Sequence, residues 1–229
     1  MRFRPRGRYN RNMSYDGRIK CVLFDMDGTL CNTWLDLARA VQAAMTHFGF
    51  APPSDEDVLR FVGNGSFKLI ELALPEGKKE YIADAEKYFQ QYYRSHLTVH
   101  TLPYEGITEL VMGLRTRGIK LGVVSNKSVV PLKEITEKFF PGVFDAVYGG
   151  CPEMPLKPAP DMIKAAMAQL NVTETETLYV GDSDVDVRAA KNAGVSGVFC
   201  AWGFQSEDKL VAAGAERVVR HPSEILACL

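Results

Sequence analysis

The chain has 229 residues, of which 46% are hydrophobic and 24% charged, and its formal net charge is −1 at pH 7. Such a length and composition are ordinary for a globular protein with one large domain, or a core with a small second domain. A net charge this close to zero gives no general attraction to nucleic acid, and no stretch approaches the roughly 20 apolar residues that span a bilayer. We therefore expect neither nucleic acid nor membrane as a partner.

The first residues differ from the rest of the chain. Residues 1–12 contain five arginines and no acidic residue. A short basic tract with few apolar residues cannot pack a core, so we interpret residues 1–18 as a basic extension that is disordered in part. The alternative is a nucleic-acid arm, which salt-dependent binding lost on truncation would reveal. The tract lacks the apolar central stretch that a secretory signal has, and five cysteines without paired spacing predict a reduced, cytoplasmic protein.

Apolar runs and helical patterns alternate along most of the chain. Strand-like runs lie at 19–24, 120–125, 143–148, 177–180 and 195–201, with a weaker one at 217–219. Helical patterns lie between the later runs, at 106–117, 129–139, 160–170 and 185–193. This alternation predicts right-handed βαβ units, and so an α/β fold whose Rossmann-like parallel sheet is covered by helices on both faces.

One interval breaks the alternation. From residue 33 to about residue 101 only helical patterns occur, at 34–48, 55–61, 67–74 and 78–97. The simplest account is a helical bundle inserted into the core, with the chain crossing near Asn32-Thr33 and again near Leu102-Pro103. We assign 19–32 and 103–229 to the α/β core, and 33–102 to a helical cap domain. Because the insert opens directly after the first strand, it would lie over the end of that strand.

The first strand is followed by two acidic residues, in the segment Phe24-Asp25-Met26-Asp27-Gly28-Thr29-Leu30. In an extended chain residues i and i+2 point the same way, so Asp25 and Asp27 should face one pocket. That pocket would lie at the carboxyl end of the sheet, where open α/β folds bind ligands. Two carboxylates this close repel each other, so the chain should also contain a site for a cation.

Three other strand ends carry polar groups that complement this pair. Ser125 and Asn126 follow a strand and precede a helix, where a hydroxyl and backbone N–H groups suit a phosphate or another oxyanion. Lys157 precedes prolines that restrict the backbone and can aim its ammonium group. Asp182 and Asp186 follow a later strand. Together these groups describe phosphoryl transfer better than hydride or acyl transfer.

The four segments, taken in order, resemble the signature motifs of the haloacid dehalogenase-like hydrolase superfamily. They read Asp25-Met26-Asp27-Gly28-Thr29-Leu30, Ser125-Asn126, Lys157-Pro158, and Gly181-Asp182-Ser183 through Asp186. The helical insert, with its Phe61-Val62-Gly63-Asn64-Gly65 segment, is similar to the cap of the phosphoglycolate phosphatase-like subgroup. One departure is Asn32-Thr33, where many relatives have Asp followed by Ser or Thr; it bears on the cap hinge or on substrate contacts.

The resemblance implies a Mg²⁺-dependent phosphatase that hydrolyses a small, phosphoglycolate-like phosphate monoester through an aspartyl-phosphate intermediate. It implies that Asp25 is the nucleophile and that Asp27 protonates the leaving alkoxide, then takes a proton from the hydrolytic water. Lys157 would offset the charge on Asp25. The partner would be a small phosphorylated metabolite, and the sequence does not indicate an oligomeric state.

The resemblance also implies which groups hold the metal and the phosphate. Mg²⁺ would be held by the carboxylates of Asp25 and Asp182 and the backbone carbonyl of Asp27, with Asp186 as a further ligand or as a support for the ligands. The phosphoryl oxygens would be bound at Gly28, Ser125, Asn126 and Lys157. Substrate choice would depend on cap residues that face the cleft, for which the candidates are Arg60, Asn64, Ser66 and Lys68.

Three alternatives stay open at this point. A sugar phosphomutase of the same superfamily would pass the phosphoryl group to a sugar hydroxyl instead of water. A pyrophosphatase or nucleotidase would differ only in its substrate. A non-catalytic binding protein on the same scaffold predicts an eroded set of motifs, whereas the motif residues all stand here. A dehalogenase is disfavoured, because departure of a halide needs no proton and so no acid such as Asp27.

Overall fold

The computed structural model describes residues 18–229, so the predicted basic extension lies outside the described residues except for its last residue. The strands are β1 (Cys21–Phe24), β2 (Cys31–Asn32), β3 (Leu102–Pro103), β4 (Lys120–Ser128), β5 (Ala146–Gly150), β6 (Thr177–Gly181), β7 (Ser196–Cys200) and β8 (Val218–Val219). All except β2 and β3 form one parallel sheet in the order β5-β4-β1-β6-β7-β8.

The helices fall into two groups. The inserted bundle consists of α1 (Trp34–His47), α2 (Asp55–Phe61), α3 (Gly65–Ala73) and α4 (Ile82–Ser95). The helices that connect the sheet strands are α5 (Ile107–Thr116), α6 (Val129–Phe139), α7 (Asp161–Leu170), α8 (Asp184–Ala193) and α9 (Glu207–Ala212). Short 3₁₀ turns occur at Lys79–Tyr81, Glu174–Glu176 and Pro222–Cys228. Within residues 18–229, none of the helices has both the length and the apolar character needed to cross a bilayer.

The central strand β1 shows why the sheet was predictable. Val22 and Phe24 pack into one hydrophobic cluster and Cys21 and Leu23 into another, and all four are fully buried. A parallel strand that is covered on both faces by helices reads as a continuous apolar run rather than an alternating one. The predicted α/β fold with a parallel sheet and a helical cap is thereby confirmed.

Some element bounds differ from the predicted ones. Strand β4 continues past Ser125 to Ser128, because the extended chain runs on through polar residues after an irregularity in its pairing with β5. The run predicted at 143–148 forms its strand later, at Ala146–Gly150. The sequence did not indicate α9. This helix has six residues, of which Leu210 alone is buried, and one buried position does not form the apolar pattern of a helix.

The two crossings between core and cap lie side by side. Strands β2 and β3 pair antiparallel, with Cys31 opposite Pro103 and Asn32 opposite Leu102. The return segment of the chain is tied to the first turn of α1, where the buried Asp36 carboxylate accepts hydrogen bonds from the backbone N–H groups of His100 and Thr101 at 2.8–3.1 Å. The Thr101 hydroxyl donates a further bond to Asp36 at 2.7 Å.

We expect Asp36→Ala to lower the free energy of unfolding by about 3 kcal/mol, because it leaves the buried N–H and hydroxyl of Thr101 without an acceptor. Denaturant unfolding measures this change. The matched control is Asp84→Ala, which removes an exposed carboxylate from the first turn of α4 and should cost no more than about 0.5 kcal/mol. Equal effects of the two substitutions would contradict this account of the crossing.

Candidate functional site

The polar groups that the sequence singled out meet at one edge of the sheet. Asp25 follows β1, Asp182 follows β6 and Ser125 lies near the end of β4, which are neighbouring strands in the sheet. A cavity between this edge and the cap encloses about 970 Å³, including the part that opens to solvent. Phe89 and Tyr93 of α4 line its cap side. The site therefore lies between the core and the helical bundle, as the position of the insert predicts.

Three buried carboxylates form the centre of the site. Oxygens of Asp25, Asp182 and Asp186, here called the carboxylate cluster, all lie within 4.8 Å of one another. Burial raises the pKa of Asp25 to about 6 and raises the pKa of Asp182 well above its ordinary value, and the neighbouring carboxylates add to both shifts. Asp186 behaves differently. Burial acts to raise its pKa, but the Lys157 ammonium outweighs this effect and the pKa is lowered.

Lys157 is the cation within the cluster. Its Nζ lies 3.0 Å from Asp25 Oδ1 and 2.7 Å from Asp186 Oδ1, and it donates a hydrogen bond to the Tyr179 hydroxyl at 2.9 Å. The other oxygen of Asp186 accepts hydrogen bonds from the backbone N–H and the hydroxyl of Ser183. Both oxygens of Asp186 are thus occupied, and its main contact is with the lysine rather than with the cavity.

The remaining oxygens of the cluster fit a divalent cation. Asp25 Oδ1 is buried and accepts no hydrogen bond from the residues that the structure describes, although it lies 3.0 Å from the Lys157 ammonium. Asp182 accepts one hydrogen bond on each oxygen, from the Thr29 hydroxyl at 3.1 Å and from the Phe204 N–H at 2.7 Å, which leaves further lone pairs. With all three carboxylates ionised, one ammonium leaves an excess of negative charge. Carboxylate oxygens in such a site are the donor type that Mg²⁺ prefers.

Glycines allow the carboxylates to pack this closely. A Cβ on Gly28 would lie 2.2 Å from Asp182 Oδ2, and a Cβ on Gly203 would lie 2.3 Å from Asp182 Cβ. A Cβ on Gly181 would lie 2.4 Å from Asp186 Cγ. Gly28 also has φ +85°, a left-handed conformation that other residues rarely adopt. The glycine in the first motif therefore makes room for Asp182 and turns the chain.

Asn126 connects three parts of the site. Its side-chain oxygen accepts a hydrogen bond from Lys157 N–H at 2.7 Å, and its Nδ2 donates to Lys157 O and to Gly63 O, both at 3.0 Å. Gly63 belongs to the cap, in the loop between α2 and α3. Since both N–H groups of the carboxamide are used, a phosphate contact from Asn126 would have to come from its backbone.

The second acid of the first motif has partners of its own. Asp27 Oδ1 accepts hydrogen bonds from the Thr33 hydroxyl at 2.7 Å and from Lys127 Nζ at 2.9 Å, and Lys127 Nζ lies 3.1 Å from Asp27 Oδ2. Lys127 is buried, and its Nζ lies 4.7 Å from the centre of the Tyr93 ring. Burial acts to lower the pKa of Lys127, but the Asp27 carboxylate outweighs this effect and the pKa is raised.

Sequence reasoning did not single out Lys127 or Tyr93. The signal for Lys127 was its position two residues after Ser125, since an extended chain places the two side chains on the same side. Tyr93 lies in α4 and is buried. It also lines the cavity, and its hydroxyl has no hydrogen-bond partner among the described residues.

The four candidate specificity residues of the cap do not all reach the cavity. Arg60 and Ser66 line it, and Asn64 and Lys68 do not. Lys68 instead pairs with Glu71 at 2.6 Å on the exposed side of α3. The candidates that remain are therefore Arg60 and Ser66.

Comparison with known proteins gives matches over most of the chain. The profile of the family described as haloacid dehalogenase-like hydrolase matches residues 22–200. A phosphoglycolate phosphatase of Aquifex aeolicus is 31% identical over 192 residues, which are 81% of this chain and 86% of that protein. An N-acetylmuramic acid 6-phosphate phosphatase of Pseudomonas aeruginosa is 32% identical over 218 residues, which are 93% of this chain and 95% of that protein.

Solved structures give a similar result. The crystal structure of a candidate phosphoglycolate phosphatase from Lactobacillus delbrueckii subsp. bulgaricus superposes with a TM-score of 0.86 at 31% identity, covering 92% of this chain and 98% of that one. A likeness of this extent includes both the parallel sheet and the helical bundle.

We expect Gly28→Ala to displace Asp182 and to lower the free energy of unfolding by about 3 kcal/mol or more. Added Mg²⁺ should raise the melting temperature of the wild type but not that of this variant. The matched control is Gly49→Ala, at φ +75° with nothing within 4 Å of the new Cβ. It carries the backbone strain alone, about 1 kcal/mol, and should keep the response to Mg²⁺. An intact response in Gly28→Ala would contradict the role assigned to the glycine.

The carboxylate cluster should make stability depend on pH when divalent cations are chelated. The pKa of Asp25 is raised from 3.8 to about 6 in the folded protein, so the folded state binds the proton of this carboxyl more tightly than the unfolded state does. The stability that comes from this proton is full below about pH 4 and is lost as the pH rises through about 6. Asp25→Asn carries no charge to bury. We expect the stability of this variant relative to the wild type to increase between pH 4 and pH 7 in EDTA, measured by denaturant unfolding. A difference that does not change with pH would contradict the shift.

Proposed function

Because the chain belongs to the haloacid dehalogenase-like hydrolase family, we propose that this phosphatase hydrolyses a small phosphate monoester through an aspartyl-phosphate intermediate, with Mg²⁺ as cofactor. The observation that carries the proposal is the buried Asp25 carboxylate, which has an oxygen without a hydrogen bond, next to Asp182 and Lys157. This oxygen lies 3.0 Å from the Lys157 ammonium, and Asp25 lines the cavity. The carboxylate is therefore placed to attack a phosphorus atom that is bound beside the lysine.

The reaction has two steps in this proposal. In the first, Asp25 attacks phosphorus, the P–O bond of the ester breaks, and the leaving alkoxide takes a proton from Asp27. In the second, water attacks the phosphorus of the aspartyl-phosphate while Asp27 takes a proton from that water. Inorganic phosphate then leaves and the Asp25 carboxylate is restored.

The metal would be held by Asp25, Asp182 and the backbone carbonyl of Asp27. When bound, Mg²⁺ supplies positive charge that offsets the charge of the phosphoryl group. Asp186 would act from behind the ligands, because its oxygens are taken by Lys157, Tyr179 and Ser183. This assignment explains why the Asp186 side chain is fully buried while Asp25 lines the cavity.

Lys157, Ser125 and backbone groups would bind the transferred phosphoryl group. The Lys157 ammonium already neutralises part of the charge on Asp25, so it reduces the repulsion between this nucleophile and an anionic substrate. The Ser125 hydroxyl lines the cavity. The backbone N–H of Asn126 and the turn at Gly28 would complete the cradle.

The leaving group would be a small alcohol that bears a carboxylate, as in 2-phosphoglycolate. The two relatives named above act on phosphoglycolate and on N-acetylmuramic acid 6-phosphate, and both of these esters carry a carboxylate. Arg60 lies in the cap wall of the cavity. Its guanidinium lies 3.2 Å from Asp57, and it would bind the substrate carboxylate by sharing or exchanging that partner. Residues 33–102 would act as the cap that selects this part of the substrate.

We also place the enzyme in the cytoplasm, with a small phosphorylated metabolite as its partner. All five cysteines are free thiols, and four of them are buried. A protein whose thiols remain unpaired suits a reducing compartment.

We expect Asp25→Asn to lower Mg²⁺-dependent phosphate release by at least about 10³-fold, because it removes the nucleophile. The assay follows inorganic phosphate from a panel of small esters that includes 2-phosphoglycolate and N-acetylmuramic acid 6-phosphate. The control is Asp184→Asn, which alters a partly exposed carboxylate two residues from Asp182 and should retain most of the activity. Full turnover by Asp25→Asn, free of contaminating phosphatase, would contradict the mechanism.

A further inference from the structure

The carboxyl group of Asp27 is held by donors from two different parts of the molecule. Thr33 stands at the first crossing into the cap, directly before α1, and Lys127 stands near the end of β4 in the core. The Lys127 side chain is 3% exposed and the Asp27 side chain 14% exposed. An ion pair this well enclosed is screened little by solvent, and it restricts the orientation of both groups.

The two oxygens of Asp27 are not equivalent. Oδ1 accepts hydrogen bonds from Thr33 at 2.7 Å and from Lys127 at 2.9 Å. Among residues 18–229, Oδ2 has only the longer hydrogen bond from Lys127, at 3.1 Å. Oδ2 is therefore the oxygen that is left to exchange a proton with a substrate in the cavity.

The cap is the third element of this arrangement. The Tyr93 ring of α4 lies against the ammonium of Lys127, with 4.7 Å from Nζ to the ring centre. A cation over an aromatic face is attracted to it. With the cap placed as it is here, Lys127 is thus enclosed between the acid of the core and the aromatic wall of the cap.

We propose that Lys127 is a positioning residue for proton transfer, which holds the Asp27 carboxyl group so that Oδ2 faces the leaving oxygen of the ester. This inference rests on the proposed function, since it takes Asp27 as the acid and base. In the first step the proton on Oδ2 passes to the alkoxide as the P–O bond breaks. In the second step Oδ2 takes a proton from the attacking water, and Lys127 keeps its own protons throughout.

The need for a proton from Asp27 depends on the leaving group of the ester. A phenolate with strongly electron-withdrawing substituents departs without a proton, whereas a poor leaving group needs one. If the Asp27 carboxyl group is no longer held in place, hydrolysis should therefore slow most for the esters whose leaving group is most basic. A merely structural defect in the site would slow all esters alike.

The experiment measures kcat/KM for a series of phenyl phosphates whose ring substituents are uncharged, since this quantity reports the steps up to departure of the first product. We expect Lys127→Met to lower kcat/KM by about 10²-fold for the least acidic phenol and only slightly for p-nitrophenyl phosphate. The slope of log kcat/KM against the pKa of the leaving group becomes steeper than in the wild type. Lys127→Arg should restore part of the shallow slope, because a guanidinium can bond both oxygens of a carboxylate.

Two further variants separate positioning from folding. Lys127→Met leaves the largely enclosed Asp27 carboxylate without its cation, so the fold of this variant must be checked by circular dichroism. If it does not fold, Thr33→Val removes the other donor to Asp27 and should steepen the slope in the same direction. In a background of Asp27→Asn, Lys127→Met should change the slope no further. The surface control is Lys133→Met on α6, an exposed lysine whose loss should leave the slope unchanged.

Three results would overturn the proposal. One is an equal loss for every phenyl phosphate in Lys127→Met. Another is a loss confined to 2-phosphoglycolate, which would make Lys127 a contact for the substrate carboxylate. The third is a slope that steepens again in the Asp27→Asn background. A wild-type protein that is inactive on every ester would refute the proposed function itself, an outcome distinct from these three.

Discussion

Repulsion between buried carboxylates is the constraint on which the site depends. Asp25, Asp182 and Asp186 approach within 4.8 Å of one another, and Lys157 is the ammonium group that contacts two of them. The lysine satisfies Asp186 and only partly satisfies Asp25. The excess negative charge raises the pKa of Asp25 and Asp182, and it makes the same oxygens a suitable site for a divalent cation. Folding the chain thus concentrates negative charge that a bound proton or an added cation would offset.

Three glycines and one carboxamide shape the surroundings of this centre. Gly28, Gly181 and Gly203 lack the Cβ atoms that would collide with the carboxylates. The carboxamide of Asn126 ties the loop of Lys157 to the cap at Gly63. Core and cap therefore meet beside the proposed catalytic groups, and the Asn126 carboxamide contacts both the cap and the lysine loop.

Much of this could be predicted from the sequence, for identifiable reasons. Strands such as β1 are buried on both faces and read as apolar runs, and their polar ends mark the edge of the sheet where Asp25 and Asp182 meet. The pairing of Lys127 with Asp27 could not be predicted, because the two residues are 100 positions apart and neither sequence segment indicates which residue the other will contact. The occupied state of Asp186 was equally hidden, since it depends on how Lys157 and Tyr179 pack.

The most direct test of the account is to identify the residue that carries the phosphoryl group during turnover. Asp27→Asn lacks the base for the second step, so a phosphorylated protein should accumulate when this variant is mixed with Mg²⁺ and p-nitrophenyl phosphate. After acid quenching, peptide mass spectrometry should find one phosphoryl group on Asp25, and none when Asp25→Asn is added to the variant. Release of nitrophenol with no phosphorylated peptide, or with the group on another residue, would contradict the central claim.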